Sequence, residues 1–218
     1  MLEIFLSAFI TLFVVIDPPG CAPIYAGLTK GAPARDTRAM AIRATWIAGL
    51  ILLGFALFGE QLLRALHIDL DSFRIAGGLM LFLIALDMVF EKRTQRREER
   101  AERIIAENEK TPHFEDVSVF PMAMPMLAGP GAIASIMLLT STAQGWPQTF
   151  VVLGALASVL LLTMLALIGA APLMRLFGDR VEAVITRLLG VLLAALAAQY
   201  VIDGLRGSFA LAPALTGA

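Results

Sequence analysis

The most deeply placed charge in this sequence is Asp17, in the stretch VVIDPPGCAPIY at residues 14–25, where Pro18, Pro19 and Gly20 follow it at once. A carboxylate behind a long apolar run has three uses. It can line a solute pathway, titrate a proton, or accept hydrogen bonds from the start of a helix. A second apolar run, PMLAGPGAIASIMLL at residues 125–139, carries Gly129, Pro130 and Gly131 without an acid, and Ser135 follows. Proline removes a ladder N–H and clashes with the preceding turn, and glycine frees the backbone, so both stretches should interrupt a helix.

The elements that hold these residues must be membrane spans. Of 218 residues, 58% are hydrophobic and 16% charged, and mean hydropathy is +0.80. Soluble domains are nearer 45–50% apolar and about 25% charged. Spans of roughly 20 apolar residues fit a bilayer core, and six candidates result: 2–28, 39–62, 73–90, 117–142, 149–173 and 183–205. The expected fold is therefore all-α and polytopic. The N-terminal stretch lacks a basic region and a small-residue cleavage site, so it reads as part of the first span.

The links are short except for 91–116, which is highly charged and nearly balanced. Its bland reading is a water-facing linker, and Glu99 stands four residues ahead of Arg103, a spacing that suits a solvated helix. The alternative is a docking surface for a partner or anionic lipid. Of the 17 Lys and Arg residues, all but Arg64, Arg74 and Arg206 fall on one face of this topology. By the positive-inside rule that face is cytoplasmic, with both termini outside. The expected location is the cell inner (plasma) membrane.

The two interrupted stretches also suggest an internal repeat. Pro19-Gly20 matches Pro130-Gly131 at one offset, and Gly77 matches Gly190 at nearly the same one. The chain then divides into a three-helix unit at 1–90, the linker at 91–116, and a second three-helix unit at 117–218. An odd number of spans inverts the second copy, the plan of many secondary transporters. Each unit begins with a broken helix. Restarts are expected at about Pro19 and Pro130, since proline suits a first helical position. Two restarting ends near the midplane would offer N–H groups to an anion, with Asp17 beside them. Such a site matches a zwitterion. The residues expected there are Asp17, Pro18, Pro19, Gly20, Pro23, Gly129, Pro130, Gly131 and Ser135. The structural alternative is that proline and glycine serve helix packing and Asp17 caps the second half-helix.

IDPPGCAPIY followed by PMLAGPGAIASIMLL resembles the paired signatures of the MarC family of bacterial inner-membrane proteins. The first is met by Asp17, Pro18, Gly20 and Pro23, the second by Gly129, Pro130, Gly131 and Ala132. The resemblance covers the whole chain. It implies a relation to the LysE-like transporter superfamily and a class described as small neutral amino acid transporters.

Nothing in the sequence suggests an enzyme, since there is no nucleophile–base pair and no phosphate-cradling loop. No cofactor and no metal site are expected, with Cys21 the only cysteine and His67 and His113 on opposite faces. A net charge of -1 gives no reason to expect nucleic acid. The expected function is a secondary transporter of small neutral amino acids or related metabolites, with the lipid bilayer and a zwitterionic solute as partners. Asp17 is then the candidate for coupling to a proton or cation. The alternatives are an ion or metal carrier using Asp17, or a non-transporting component of a membrane assembly; an oligomer is compatible with each.

Overall fold

The computed structural model describes residues 1–90 and 116–209, with side chains omitted for 171–183. Most of the charged linker, the Glu99–Arg103 pair, His113 and the side chains of Arg175 and Arg180 thus lie outside the described residues. Everything regular among the described residues is helical. The elements are α1 (Leu2–Ile16), α2 (Pro18–Leu28), α3 (Ala34–Ala65), α4 (Leu70–Val89), α5 (Ser118–Leu127), α6 (Pro130–Ser141), α7 (Gly145–Ile168) and α8 (Ala170–Ser208).

Five stretches are long and apolar enough to cross a bilayer: Leu2–Leu28, Ala34–Ala65, Leu70–Val89, Gly145–Ile168 and Val184–Ser208. A sixth forms if α5 and α6, bent by 53° at their junction, are taken as one. Five of the expected spans are thus located, and the sixth is if that bent pair crosses as one. The helix of the fifth ends at Ile168 rather than 173, and α8 begins at Ala170, well before its apolar window.

Small residues decide how these helices approach. Along α3 the buried positions include Ala41, Ala44, Thr45, Ala48, Leu52, Ala56 and Gly59, a stripe at helical spacing. Lipid supplies no hydrophobic drive between helices, so close packing of such stripes does the work. Large apolar side chains point outward instead, among them Ile10, Trp46, Leu50, Phe58, Leu161 and Leu188. That is the expected inversion for a chain whose solvent is hydrocarbon.

The most extensive packing is between α4 and α8. A Cβ at Gly78 would stand 2.9 Å from the Ala197 carbonyl oxygen and 3.0 Å from the Val201 nitrogen. Conversely, a Cβ at Gly190 would stand 2.9 Å from the Met88 Cβ and 3.1 Å from the Ala85 carbonyl oxygen. Gly77, the glycine matched to Gly190 in sequence, faces Leu138 of α6 instead. The glycine that meets the other helix as Gly190 does is one residue further on. Elsewhere α1 packs against α6, α7 and α8, and α2 against α7 and α8. Helix α3 packs against α5, α6 and α7, and α4 also touches α6.

Candidate functional site

The first break is one residue wide. Asp17 takes left-handed backbone angles (φ 60°, ψ 64°), which short polar side chains tolerate better than most. Its N–H still donates to the Phe13 carbonyl at 2.9 Å, closing α1. Its carbonyl accepts from the Cys21 N–H at 3.0 Å, opening α2. Its Oδ1 accepts from the Gly20 N–H at 3.2 Å, the capping arrangement at a helix start. The restart falls at Pro18, one residue earlier than expected, with Pro18 and Pro19 in the first positions, where no N–H is required.

The neighbours of Asp17 follow from this geometry. Gly20 has no side chain because a Cβ there would lie 2.3 Å from Asp17 Oδ2. The Cys21 thiol donates to the Ile16 carbonyl at 3.4 Å, serving an acceptor at the end of α1. Pro18 and Pro19 cannot extend the α1 ladder onto Val14 and Val15. Asp17 and Cys21 are both buried, at 1% and 0% exposure.

The second break is built differently. Phe120 and Met124 leave helical angles (φ −127°, ψ 128° and φ −132°, ψ 125°). Each precedes a proline, which disfavours the helical region for the residue before it. Between them the turns widen. The Met122 N–H reaches back five residues to the Val117 carbonyl at 3.3 Å, and Ala128 to Ala123 at 2.9 Å. Gly129 is extended (φ −77°, ψ 171°), and α6 starts at Pro130, as expected, with no side-chain cap. The N–H groups of Gly131 and Ala132, second and third in that helix, have no intrahelical acceptor by position.

The two breaks approach one another through Gly131. A Cβ there would lie 2.5 Å from Ile84 Cδ1, 3.3 Å from Val15 Cγ1 and 3.6 Å from Leu81 Cδ2. The first turn of α6 therefore lies against α4 and against the last turn of α1, two residues before Asp17. Of the other expected site residues, Pro18, Gly20 and Gly129 are buried, Pro19 and Pro23 half-buried, and Pro130 exposed. Pro23 lies inside α2. Ser135 is completely buried, and its hydroxyl has no hydrogen-bond partner among the described residues. Thr140, Ser141 and Thr142 bond back to carbonyls of their own helix.

Some contacts at this end of the bundle were not readable from sequence. The Arg43 guanidinium pairs with Asp116, tying α3 to the residues that lead into α5. Tyr25 is fully buried and donates from its hydroxyl to the Thr37 carbonyl. The Ser118 hydroxyl is buried without a partner among the described residues. Burial would raise the Asp116 carboxyl, but the Ser118 backbone N–H, which donates to Oδ1 at 2.9 Å, and the Arg43 charge outweigh it and hold it below the usual carboxylate value. Arg74 pairs with Asp71 at 2.7 Å. Among the described residues no cluster of three or more His, Cys, Asp or Glu is placed to hold a metal ion.

Residues 2–209 match the profile of a family described as MarC family integral membrane protein. A UPF0056 membrane protein of Methanocaldococcus jannaschii is 35% identical over 207 residues, covering 95% of this chain and 98% of the relative. The UPF0056 membrane protein YvbG of Bacillus subtilis is 33% identical, covering 99% of each chain. The UPF0056 inner membrane protein YhgN of Escherichia coli is 31% identical, covering 92% of this chain and 95% of the relative. No solved structure matches the chain.

Proposed function

For a chain that belongs to the MarC family of integral membrane proteins, we propose a secondary transporter of small neutral amino acids or related metabolites, working by alternating access around the two helix breaks. The observation that carries this reading is the seat of Gly131 against Val15, which sets the uncapped start of α6 beside the end of α1. In that arrangement the solute carboxylate takes the free N–H groups of Gly131 and Ala132. The solute ammonium takes Asp17, and the buried Ser135 hydroxyl supplies a further polar contact.

Alternating access needs two similar halves, and several features support them. Pro18 and Pro130, which open α2 and α6, are 112 residues apart (18 to 130), and so are Gly78 and Gly190 (78 to 190). Part of the packing is also exchangeable: α1 on α7 answers α3 on α5, and α2 on α8 answers α6 on α4, although α1 on α6 has no such counterpart. Residues 1–90 and 117–218 are then inverted copies joined by the linker at 91–116. Both termini lie outside the inner membrane, and Asp17 couples transport to a proton.

The test is uptake by proteoliposomes carrying the intact chain, with alanine, serine and threonine as solutes. Asp17→Asn and Ser135→Ala should each lower uptake at least tenfold while the protein stays folded. Asp17→Asn should also remove the pH dependence. Cys21 is buried here, so labelling of its thiol reports opening, and a transported solute should change the labelling rate. Normal uptake by Asp17→Asn, or none of these solutes by the native chain, would end this reading.

A further inference from the structure

Between α3 and α7 the lipid-facing surface dips into an open slot of about 350 Å³, which includes no residue of either break. On α3 it runs from Thr45 and Trp46 to Leu53, and α7 forms the other wall from Leu153 to Met164. The two helices are antiparallel. A Cβ at Gly49 would meet Leu160 at 3.2 Å, while the end of α3 meets the start of α7 around Glu60 and Trp146. The slot suits hydrocarbon. Its one hydroxyl, on Thr45, donates to the Ala41 carbonyl at 2.9 Å. The only other side-chain nitrogen or oxygen in the lining is the indole N–H of Trp46, whose ring is largely exposed at the rim.

The approach to the slot is charged. Counting along α3, Arg35, Arg38, Ile42, Thr45, Gly49 and Leu53 share one face. Both arginines are exposed, and neither has a carboxylate partner among the described residues. The acid beside them, Asp36, is two residues from Arg38 and so faces away. Arg43 is committed to Asp116. The positive pole of α3 and the negative pole of α7 fall at this same end and offset one another. Two guanidinium charges therefore stand at the head of an apolar slot. Length completes the match. Arg38 to Leu53 (38 to 53) spans about 22 Å at 1.5 Å per residue. One leaflet with its headgroups is half of a bilayer of about 40–45 Å, the same depth.

We propose that the slot is a binding site for an anionic phospholipid, with the phosphate on Arg35 and Arg38 and one acyl chain between α3 and α7. Forked guanidiniums match phosphate oxygens. Hydrocarbon gains little by leaving bulk lipid for an apolar groove, so the headgroup sets the selectivity and the slot orders the chain. A second copy of this chain is the poorer occupant. A two-fold axis along the membrane normal would bring the same arginines toward one another, and like charges at an interface repel. The site needs nothing from the helix breaks and stands whether or not they carry a solute.

The experiment uses the full-length protein with Trp146→Phe, so that Trp46 is the only tryptophan and senses the rim of the slot. It is reconstituted into mixed phosphatidylcholine and phosphatidylglycerol vesicles, with bromine on the acyl chains of one lipid or the other. Bromine quenches tryptophan on contact. Brominated phosphatidylglycerol should quench Trp46 at about one-tenth of the mole fraction that brominated phosphatidylcholine needs, a preference in the range of two basic side chains at a membrane surface. Arg35→Gln/Arg38→Gln should bring the two lipids level. Arg64→Gln, which removes a charge at the far end of α3, should leave the preference intact. Ala157→Phe narrows the slot from an exposed position and should abolish the preference with both arginines in place. Equal quenching by the two lipids in the native chain, or a preference that survives Arg35→Gln/Arg38→Gln, overturns the proposal. A preference that survives Ala157→Phe does the same, because charge alone would then hold the lipid. Weak quenching by both lipids, with energy transfer between differently labelled copies, would give the slot to a second copy and also overturn it.

Discussion

The two interrupted spans solve one backbone problem with different residues. In the first, a single left-handed aspartate joins α1 to α2 and uses its N–H, its carbonyl and Oδ1 to bridge them. The run Leu2–Leu28 remains one span. In the second, two prolines force extended residues into α5, the turns widen, and the chain bends by 53° before α6 begins uncapped. One break is short, capped and charged, the other long, neutral and open. Backbone freed at membrane depth must be satisfied by protein or by a water-lined cavity. The first break draws on its own acid. In the second, the first N–H groups of α6 have no intrahelical acceptor by position and no side-chain cap.

The largest expected effect tests whether Asp17 is a cap, a charge, or both. Asp17→Ala should cost about 2–3 kcal/mol, from a lost helix cap and from left-handed angles at a residue that resists them. Asp17→Asn keeps the cap acceptor and tolerates those angles, so its melting temperature in detergent should stay close to the native value. If transport fails in both variants while stability falls only in the first, the charge serves the solute and the cap serves the fold. If Asn transports normally, the two breaks differ in construction but not in duty.

A second pair compares the glycines of the two breaks. A Cβ at Gly129 would lie 2.4 Å from the Pro125 carbonyl oxygen, a backbone atom that cannot swing aside. Gly129→Ala should therefore cost about 1–3 kcal/mol through overpacking. At Gly20 the obstacle is the Asp17 carboxylate, a side chain that can rotate away and give up its cap, so Gly20→Ala should cost nearer 1 kcal/mol. Thermal unfolding of the two variants checks the order. The reverse order would mean that the second break is the more adaptable one.

How far these features were legible in sequence depends on the range of the interaction behind them. The spans, the break at Asp17 and the restart at Pro130 rest on local chemistry: apolar length, missing proline N–H groups, and the reach of a carboxylate over three residues. Those were readable, to within a residue at Pro18. The register of α4 against α8 was not, because Gly77 and Gly78 are equivalent to a sequence pattern and only packing shows which one faces Ala197. Likewise, the second interruption was expected at Gly129, Pro130 and Gly131, whereas Phe120 and Met124, each before a proline, leave helical angles upstream of it, beside α3. The Arg43–Asp116 pair joins residues 73 positions apart and left no local trace.

That ion pair supplies the smallest effect and completes the comparison, because the acid next to the second broken span stands at its entrance rather than in the break. Hydrogen bonding from Ser118 and the charge of Arg43 hold the Asp116 carboxyl below the value of about 3.9 expected in an unfolded chain. A group depressed by folding binds its proton more weakly when folded. Its contribution is fully present above the unfolded value and is lost as pH falls through the folded one. Stability should thus decline on the acid side below about pH 4, and Asp116→Asn should flatten that decline. The side chain is 44% exposed, so solvent screening keeps the effect small. Arg43→Gln should also shrink the decline, by raising the folded carboxyl toward its unfolded value. Melting curves between pH 3 and 6 in detergent check both variants. An unchanged acid limb in Asp116→Asn would mean that the start of α5 is held by packing against α3 rather than by charge.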